Sequence, residues 1–288
     1  MRRPGPGRRK DNIVQLDGET ILFPIIGDPI AQVRSPRYLT EILAARGVNA
    51  IVPPVHVHRD HVAATLESFR HLQNLRGVVV TIPHKIASIE CCDVVSERAR
   101  FVGSVNVIHK DAEGRLIGDN VDGYGYLDGI RALGFEVKDK CALLVGAGGA
   151  GSAVAYEILD RGAAHLSIAD LDATRRDRII AALDARFPGR VGPGSDDPTG
   201  MDLVANVTPC GMRAGDPFPA DPAKMHAGQF VADAITRPEV SPMVAAARAL
   251  GCKTMTGAGM FNAEAERLVD FLLGQGLPPY PAKEEEAA

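Results

Sequence analysis

The chain has no run of apolar residues as long as a membrane-crossing helix, so a helical membrane setting is not expected. It has no excess of positive charge either. Against 32 Lys and Arg stand 36 Asp and Glu, a formal net charge of −4, which gives no reason to expect nucleic acid or an anionic membrane as a partner. Cysteine is scarce, and Cys91, Cys92, Cys141, Cys210 and Cys252 include no C-x-x-C pair. A disulfide framework is therefore not expected; the thiols read as small apolar side chains in a reducing cytoplasm. No solenoid-type repeat is present. What the chain does have is an ordinary globular balance, 45% hydrophobic and 24% charged, enough for a full core. Its 288 residues suffice for two domains and also suit one. The opening Met1–Lys10, basic and rich in Pro and Gly, has no apolar segment behind it. It reads as a solvated tail rather than a signal peptide or a nucleic-acid arm, and Glu284–Glu286 as a frayed end.

The most informative stretch is Leu143-Leu144-Val145-Gly146-Ala147-Gly148-Gly149-Ala150-Gly151-Ser152. The apolar run Cys141–Val145 predicts a buried parallel strand, and Ala153, Val154, Ala155, Ile158 and Leu159 recur at helical spacing. Strand, glycine turn and helix are the context in which G-x-G-x-x-G binds a dinucleotide. In that reading Gly146 makes the tight turn, Gly148 lets the pyrophosphate approach, and Gly151 lets helix and strand pack closely. The helix N-terminus offers free N–H groups to the phosphates. A second predicted strand, His165–Ala169, ends at Asp170, where an acid would read the ribose 2′-hydroxyl.

Upstream, apolar runs predict strands at Ile21–Ile26, Ala50–Val55 and Gly77–Ile82, with a helix opened by Ser35-Pro36. Gly77–Ile82 is apolar on both faces and stops at Pro83-His84-Lys85. A lysine just past the carboxyl end of a central parallel strand sits where open α/β sheets bind ligands. A cation is mildly disfavoured at a helix start, which makes an idle surface lysine the weaker reading. His56, His58 and His61 read as a strand end opening a solvated helix, not a metal site. Asp111-Ala112-Glu113-Gly114 predicts a hairpin turn, and the helix from Tyr124 to Leu133 a bridge to the next domain. The βαβ rhythm then continues through strands at 202–206, 230–233 and 253–255 to a long amphipathic helix, Met260–Leu273.

In this order, Gly27-Asp28-Pro29-Ile30 with Ser35-Pro36, Thr81-Ile82-Pro83-His84-Lys85, Val102–Asn106, Gly118–Gly123, Gly146–Ala150 and Asn206–Met212 resemble the shikimate/quinate dehydrogenase family. The resemblance runs from about Ile21 to about Leu273 and implies an α/β fold of two domains. An N-terminal substrate-binding and catalytic domain, 21–121 with 257–276, would precede a Rossmann-type parallel-sheet domain, 122–256, with tails at 1–20 and 277–288. The C-terminal helix would return to the substrate domain. The implied reaction is reversible hydride transfer between a cyclic hydroxy acid and a nicotinamide cofactor. By resemblance Lys85 and Asp122 are the catalytic pair, and Ser35, Thr81, Asn106 and Glu264 line the substrate pocket. Cofactor contacts fall on Gly146, Gly148, Gly149, Ala150, Gly151, Asp170, Arg175, Asn206, Thr208, Met212 and Gly257. Loss of hydride from an alcohol carbon requires its hydroxyl proton to leave, so a base must touch that oxygen, and a lysine serves if its site lowers its pKa.

The departures from the family pattern are specific. Val33 and Val79 stand where it has a serine and an asparagine, Thr236 where it has a tyrosine, and Glu264 where it has a glutamine. A site lacking a hydrogen-bonding partner discriminates against the polar group it cannot satisfy, so shikimate is expected to be a poor substrate. Glu264 would also repel a carboxylate unless protonated. On the cofactor side Asp170-Leu171-Asp172 replaces the Asn-Arg-Thr of NADP-using members, which points to NAD over NADP, with Arg175 the residue able to rescue a 2′-phosphate. A methylene-tetrahydrofolate-dehydrogenase-like enzyme shares the architecture, but Thr81-x-Pro83-x-Lys85 with Asp122-Gly123 argues against it. A non-catalytic dinucleotide or metabolite sensor is the alternative from another class, and it would need neither Lys85 nor Asp122. No metal is expected, and a homodimer is compatible with the sequence.

Overall fold

The computed structural model describes residues 16–31, 33 and 35–279. Most of each expected tail, 1–15 and 280–288, lies outside them. Residues 17–20, expected in the first tail, instead form a turn whose Thr20 hydroxyl donates to Asp17 and Asn49. Leu277, expected in the second, packs on the first core described below.

The first half of the chain builds a mixed sheet. Strands β1 (Ile21–Leu22), β2 (Ile25–Gly27), β3 (Ala50–Ile51), β4 (Pro54–His56), β5 (Gly77–Val80), β6 (Val94–Val95), β7 (Val107–Lys110) and β8 (Leu116–Asp119) alternate with helices α1 (Ser35–Ala45), α2 (Val62–Arg70) and α3 (Glu97–Val102). The order is β4-β2-β5-β7-β8-β6, with β7 antiparallel to both neighbours, and β1 pairs with β3 apart from it. Two expected strands are thus each split in two. The breaks fall at Pro24 and at Pro53-Pro54, where proline has no N–H to donate to a ladder. The expected hairpin is β7–β8. Its turn is held by Asp111, whose carboxylate accepts from the backbone N–H of Glu113 and Arg115. Strand β5 lies at the centre, buried along its whole length.

The second half builds a purely parallel sheet. Strands β9 (Cys141–Val145), β10 (His165–Ala169), β11 (Val191–Pro193), β12 (Leu203–Asn206), β13 (Phe230–Asp233) and β14 (Lys253–Met255) take the order β11-β10-β9-β12-β13-β14. This is the doubly wound 3-2-1-4-5-6 order, with its switch point between β9 and β12, where open sheets bind ligands. Helices α5 (Gly149–Asp160), α6 (Ala173–Arg186) and α7 (Pro242–Ala249) cover it. Asp172 caps α6 and Ser241 caps α7, each accepting from a backbone N–H three residues on.

Two helices join the halves. Helix α4 (Asp122–Ala132) leads from β8 into the parallel sheet, and α8 (Gly257–Leu272) leads back. Ala265, Leu268, Val269, Phe271 and Leu272 of α8 complete the apolar core that contains Phe23, Val79 and Val107 of the first sheet. The expected return of the last helix to the first half is therefore seen. The two helices cross in close contact. A Cβ on Gly125 would stand 2.5 Å from Cβ and 2.8 Å from Cα of Glu264, and one on Gly129 would stand 2.9 Å from the Gly259 carbonyl oxygen. Any side chain at Gly125 must push backbone, not a flexible side chain. Gly125→Ala is expected to destabilise the protein by about 1–3 kcal/mol in urea unfolding, the usual cost of overpacking. A loss under about 0.5 kcal/mol would mean that the crossing is looser than this.

Candidate active site

The turn after β5 carries Lys85, and the start of α4 carries Asp122. Lys85 Nζ donates to both carboxylate oxygens of Asp122, at 3.1 Å to Oδ1 and 2.9 Å to Oδ2. Each partner is braced from behind. The Lys85 carbonyl accepts from the Val105 N–H at 2.8 Å, and the neighbouring His84 ring is wholly buried, its Nε2 2.7 Å from the Val57 carbonyl. Asn106 Nδ2 donates to Asp122 Oδ1 at 2.7 Å, while its own Oδ1 accepts from the Val121 N–H. Asn120 accepts from the Asp122 N–H and donates to the Ser104 hydroxyl. The Asp122 carboxylate also sits in the first turn of a helix, where the dipole favours a negative charge. Glu264 approaches the same point from α8, its backbone packed on Gly125 and its carboxyl under the influence of the Asp122 charge.

The charges settle in a definite pattern. Burial pushes the Asp122 carboxyl up, but the Lys85 ammonium and the hydrogen bonds from Lys85 and Asn106 outweigh it and hold it below the usual range. Burial likewise pushes Lys85 down, and the negative charge of Asp122, joined by that of Glu264 once it ionises, more than restores it. The condition under which a lysine acts as a free base, a lowered pKa, is therefore not met in the site as it stands. The cause is the two-oxygen ion pair, which favours the ammonium more than burial disfavours it.

At the carboxyl end of β9, Gly146 has φ +109°, a backbone conformation that side chains rarely adopt. A Cβ there would also stand 2.8 Å from Thr208 Cγ2, across the switch point. Gly151 is buried against the Gly146 carbonyl. Gly148 and Gly149 are exposed, and a Cβ on either would meet nothing within 4 Å. The loop thus forms an open cradle at the start of α5, which fits a pyrophosphate. At the end of β10, Asp170 Oδ2 accepts from the Ala147 N–H at 2.6 Å. Its Oδ1 accepts from the Asp172 N–H at 2.8 Å and from Arg175 Nη2 at 2.7 Å. Leu171 beside it is fully exposed.

Lys85, Asp122, Asn106 and Glu264 therefore meet at one corner, and Gly146–Gly151, Asp170 and Arg175 at another. Other expected residues are placed differently. Thr81 follows β5, with its methyl group against Gly27. Ser35 opens α1, tied to α8 through the Tyr38 and Phe261 rings at 5.4 Å. Asn206, expected to touch the cofactor, is wholly buried. It donates to Asp233 and accepts from the N–H and hydroxyl of Thr208, so it shapes the loop from inside. Gly257 is likewise buried, against the Ala234 and Ile235 carbonyls. Val79 is 4% exposed in the same apolar cluster as Val33, so neither faces a polar partner. Sequence reasoning missed Asn120 and Ser104 as braces, although both stand inside quoted motifs. It missed Asp233, which holds Asn206 and Ser241, for want of any local signal. It also missed the acids at the histidine run, since Asp28 lies 2.8 Å from His56 and Asp60 3.3 Å from His58. No group of three metal-binding side chains occurs among the described residues, and no helix there is long and apolar enough to cross a membrane.

A doubly wound sheet with an open glycine cradle, joined to a second sheet that carries a half-buried lysine paired with a buried carboxylate, defines a nicotinamide-dependent dehydrogenase acting on a CH–OH group. Residues 25–108 match the shikimate dehydrogenase substrate binding domain. The shikimate dehydrogenase (NADP(+)) of Rubrobacter xylanophilus is 36% identical, over 89% of this chain and 93% of that one. Solved structures of 5-ketofructose reductase from Gluconobacter sp. strain CHM43 and of quinate dehydrogenase from Corynebacterium glutamicum in complex with NAD superpose with TM-scores of 0.82 and 0.79. They are 29% and 28% identical, and each match covers 90% of this chain and 94% or 95% of the other. The chain belongs to the shikimate/quinate dehydrogenase family. Gly151→Ala should lower stability by about 2 kcal/mol or more, because its Cβ meets backbone. Gly148→Ala should cost less than about 1 kcal/mol in unfolding while weakening nicotinamide-cofactor affinity at least about tenfold, since its Cβ enters the cradle. Equal unfolding costs for the two would refute this division of labour.

Proposed function

We propose that this chain is an NAD-preferring dehydrogenase that interconverts a secondary alcohol and a ketone on a small cyclic hydroxy acid, with Lys85 and Asp122 as the catalytic pair. The observation that carries the reading is the Lys85 ammonium seated on both oxygens of Asp122, at the end of β5 and the start of the helix leading to the nucleotide sheet. Bound nicotinamide supplies the hydride acceptor or donor at the carbinol carbon. In ketone reduction the Lys85 ammonium donates to the carbonyl oxygen and yields it a proton. In alcohol oxidation the neutral amine takes that proton, and Asp122 keeps the nitrogen aimed at the oxygen. Asn106 fixes Asp122 and, with Ser35 and Thr81, bounds the space for the ring. A sensor would have no use for so costly a buried pair. The apolar surroundings of Val33 and Val79 support a substrate other than shikimate itself. A structurally similar protein bearing the name 5-ketofructose reductase supports including ketoses in the assay panel.

Asp170 supports the preference for NAD. Its carboxylate, at the end of β10, would face the adenosine ribose of a bound cofactor, and a 2′-phosphate would bring negative charge against it. Two such charges at about 4 Å repel by roughly 4 kcal/mol at an effective dielectric of 20. Arg175 offsets part of this but is already engaged by Asp170.

Lys85→Ala should lower kcat by about 10²- to 10⁴-fold with cofactor affinity little changed. Retention of more than a tenth of the wild-type rate would remove Lys85 from the reaction. The ratio of kcat/KM for NAD over NADP should exceed one in the wild type. It should invert in Asp170→Asn/Leu171→Arg, because arginine offers phosphate a planar fork. A wild-type ratio below one would show that Asp170 does not select the cofactor.

A further inference from the structure

The reaction above leaves Glu264 without a task, yet the fold presses it into the catalytic corner. Its backbone crosses α4 at Gly125, one turn beyond Asp122, too closely for any intervening side chain. That crossing sets its carboxyl beside the Asp122 carboxylate, close enough for the charge of one to act on the other. Ionised carboxylates only accept, so a hydrogen bond between two carboxyl groups requires one proton between them. Asp122 receives Lys85 on both oxygens and Asn106 on one, which marks it as the ionised partner and leaves the proton on Glu264. The charged groups that face Glu264 are Asp122 from α4 and Lys85 from the turn after β5.

We propose that Glu264 is a positioning residue that works as a neutral acid, donating its proton in a hydrogen bond to Asp122 and so keeping the Lys85–Asp122–Glu264 cluster at zero net charge. The inference rests on the reading of Lys85 and Asp122 as the catalytic pair. Burial first, and then the Asp122 charge, push the Glu264 carboxyl up to about 8, with the Lys85 ammonium pulling the other way. Above that pH the cluster gains a second negative charge. Lys85 then holds its proton more firmly and is a weaker base for alcohol oxidation. An acidic substrate meets repulsion where it met none. A glutamine at this position keeps the shape and a donor but cannot ionise, so the choice of Glu couples the reaction to pH.

The test is Glu264→Gln, read in two ways. The first is thermal stability against pH, without substrate. A carboxyl whose folded-state pKa lies above its unfolded value of 4.5 stabilises the fold fully at low pH and loses that contribution as pH rises towards 8. The Gln variant should therefore match the wild type near pH 5 and exceed its Tm by about 5 °C at pH 8. Introducing Asp122→Asn into both proteins should shrink that difference, since the Asp122 charge is one of its causes. The second is the pH profile of turnover in the oxidising direction. The wild type should show an ionisation near pH 8 that vanishes in Glu264→Gln, whose rate should rise with pH at least about one unit earlier. The KM for an acidic substrate should climb above pH 8 in the wild type alone. An ionised Glu264 paired with Lys85 makes the opposite forecast, a Gln variant that grows less stable than wild type as pH rises. That result, or identical pH dependences in the two proteins, overturns the proposal. The stability arm needs no turnover, so a failure to find any oxidisable alcohol would count against the dehydrogenase reading alone.

Discussion

Helices α4 and α8 cross where Gly125 and Gly129 leave no side chain between them, and the rest of the molecule depends on that contact. One helix carries the chain out to the parallel sheet and the other brings it back, so the crossing is where the two halves are fastened. The same contact sets the chemistry. Asp122 opens α4 and Glu264 sits on α8 at the point of closest approach, which brings two carboxyl groups onto one lysine. A looser crossing would let water between them, and the cluster would lose the low dielectric that shifts its protons.

Around that point the polar groups are arranged so that each constrains the next. Asn106 holds Asp122 and is held by the Val121 N–H, Asn120 holds the backbone of Asp122 and is held by Ser104, and Lys85 is fastened through Val105. A buried ion pair is weak support for stability, because desolvation consumes most of the Coulombic gain. Its presence here, with every neighbour engaged in aiming it, fits a group kept for reaction. At the other corner the arrangement is the reverse. The glycine loop spends its strain at Gly146 and Gly151 to leave Gly148 and Gly149 open to solvent.

Much of the fold was legible residue by residue. The central strands of the parallel sheet are mostly apolar runs buried along nearly their whole length, and Cys141–Val145, His165–Ala169 and Phe230–Asp233 stand where periodicity puts them. The first sheet was less legible because proline splits its outer strands, and periodicity alone does not register a missing donor. Of the site, the residue types were readable while their electrostatics were not. A lysine base calls for a lowered pKa, and the ion pair with Asp122 raises it against the effect of burial. Asn206 stands in a cofactor motif, yet its hydrogen bonds are all spent inside the protein.

The division between the two levels has a physical basis. Local sequence determines what depends on neighbours along the chain: strand periods, the glycine turn before α5, the caps of α6 and α7, and the acid at the end of β10. It also determines the membership of the family, because six motifs in order leave few alternatives. The tertiary structure alone decided what depends on distance between segments remote in sequence. Lys85 and Asp122 are 37 residues apart, and Glu264 comes from the other end of the chain. Coulomb energy and desolvation vary with separation and burial, not with sequence position. The protonation state of this cluster therefore exists only once α8 has folded back across α4.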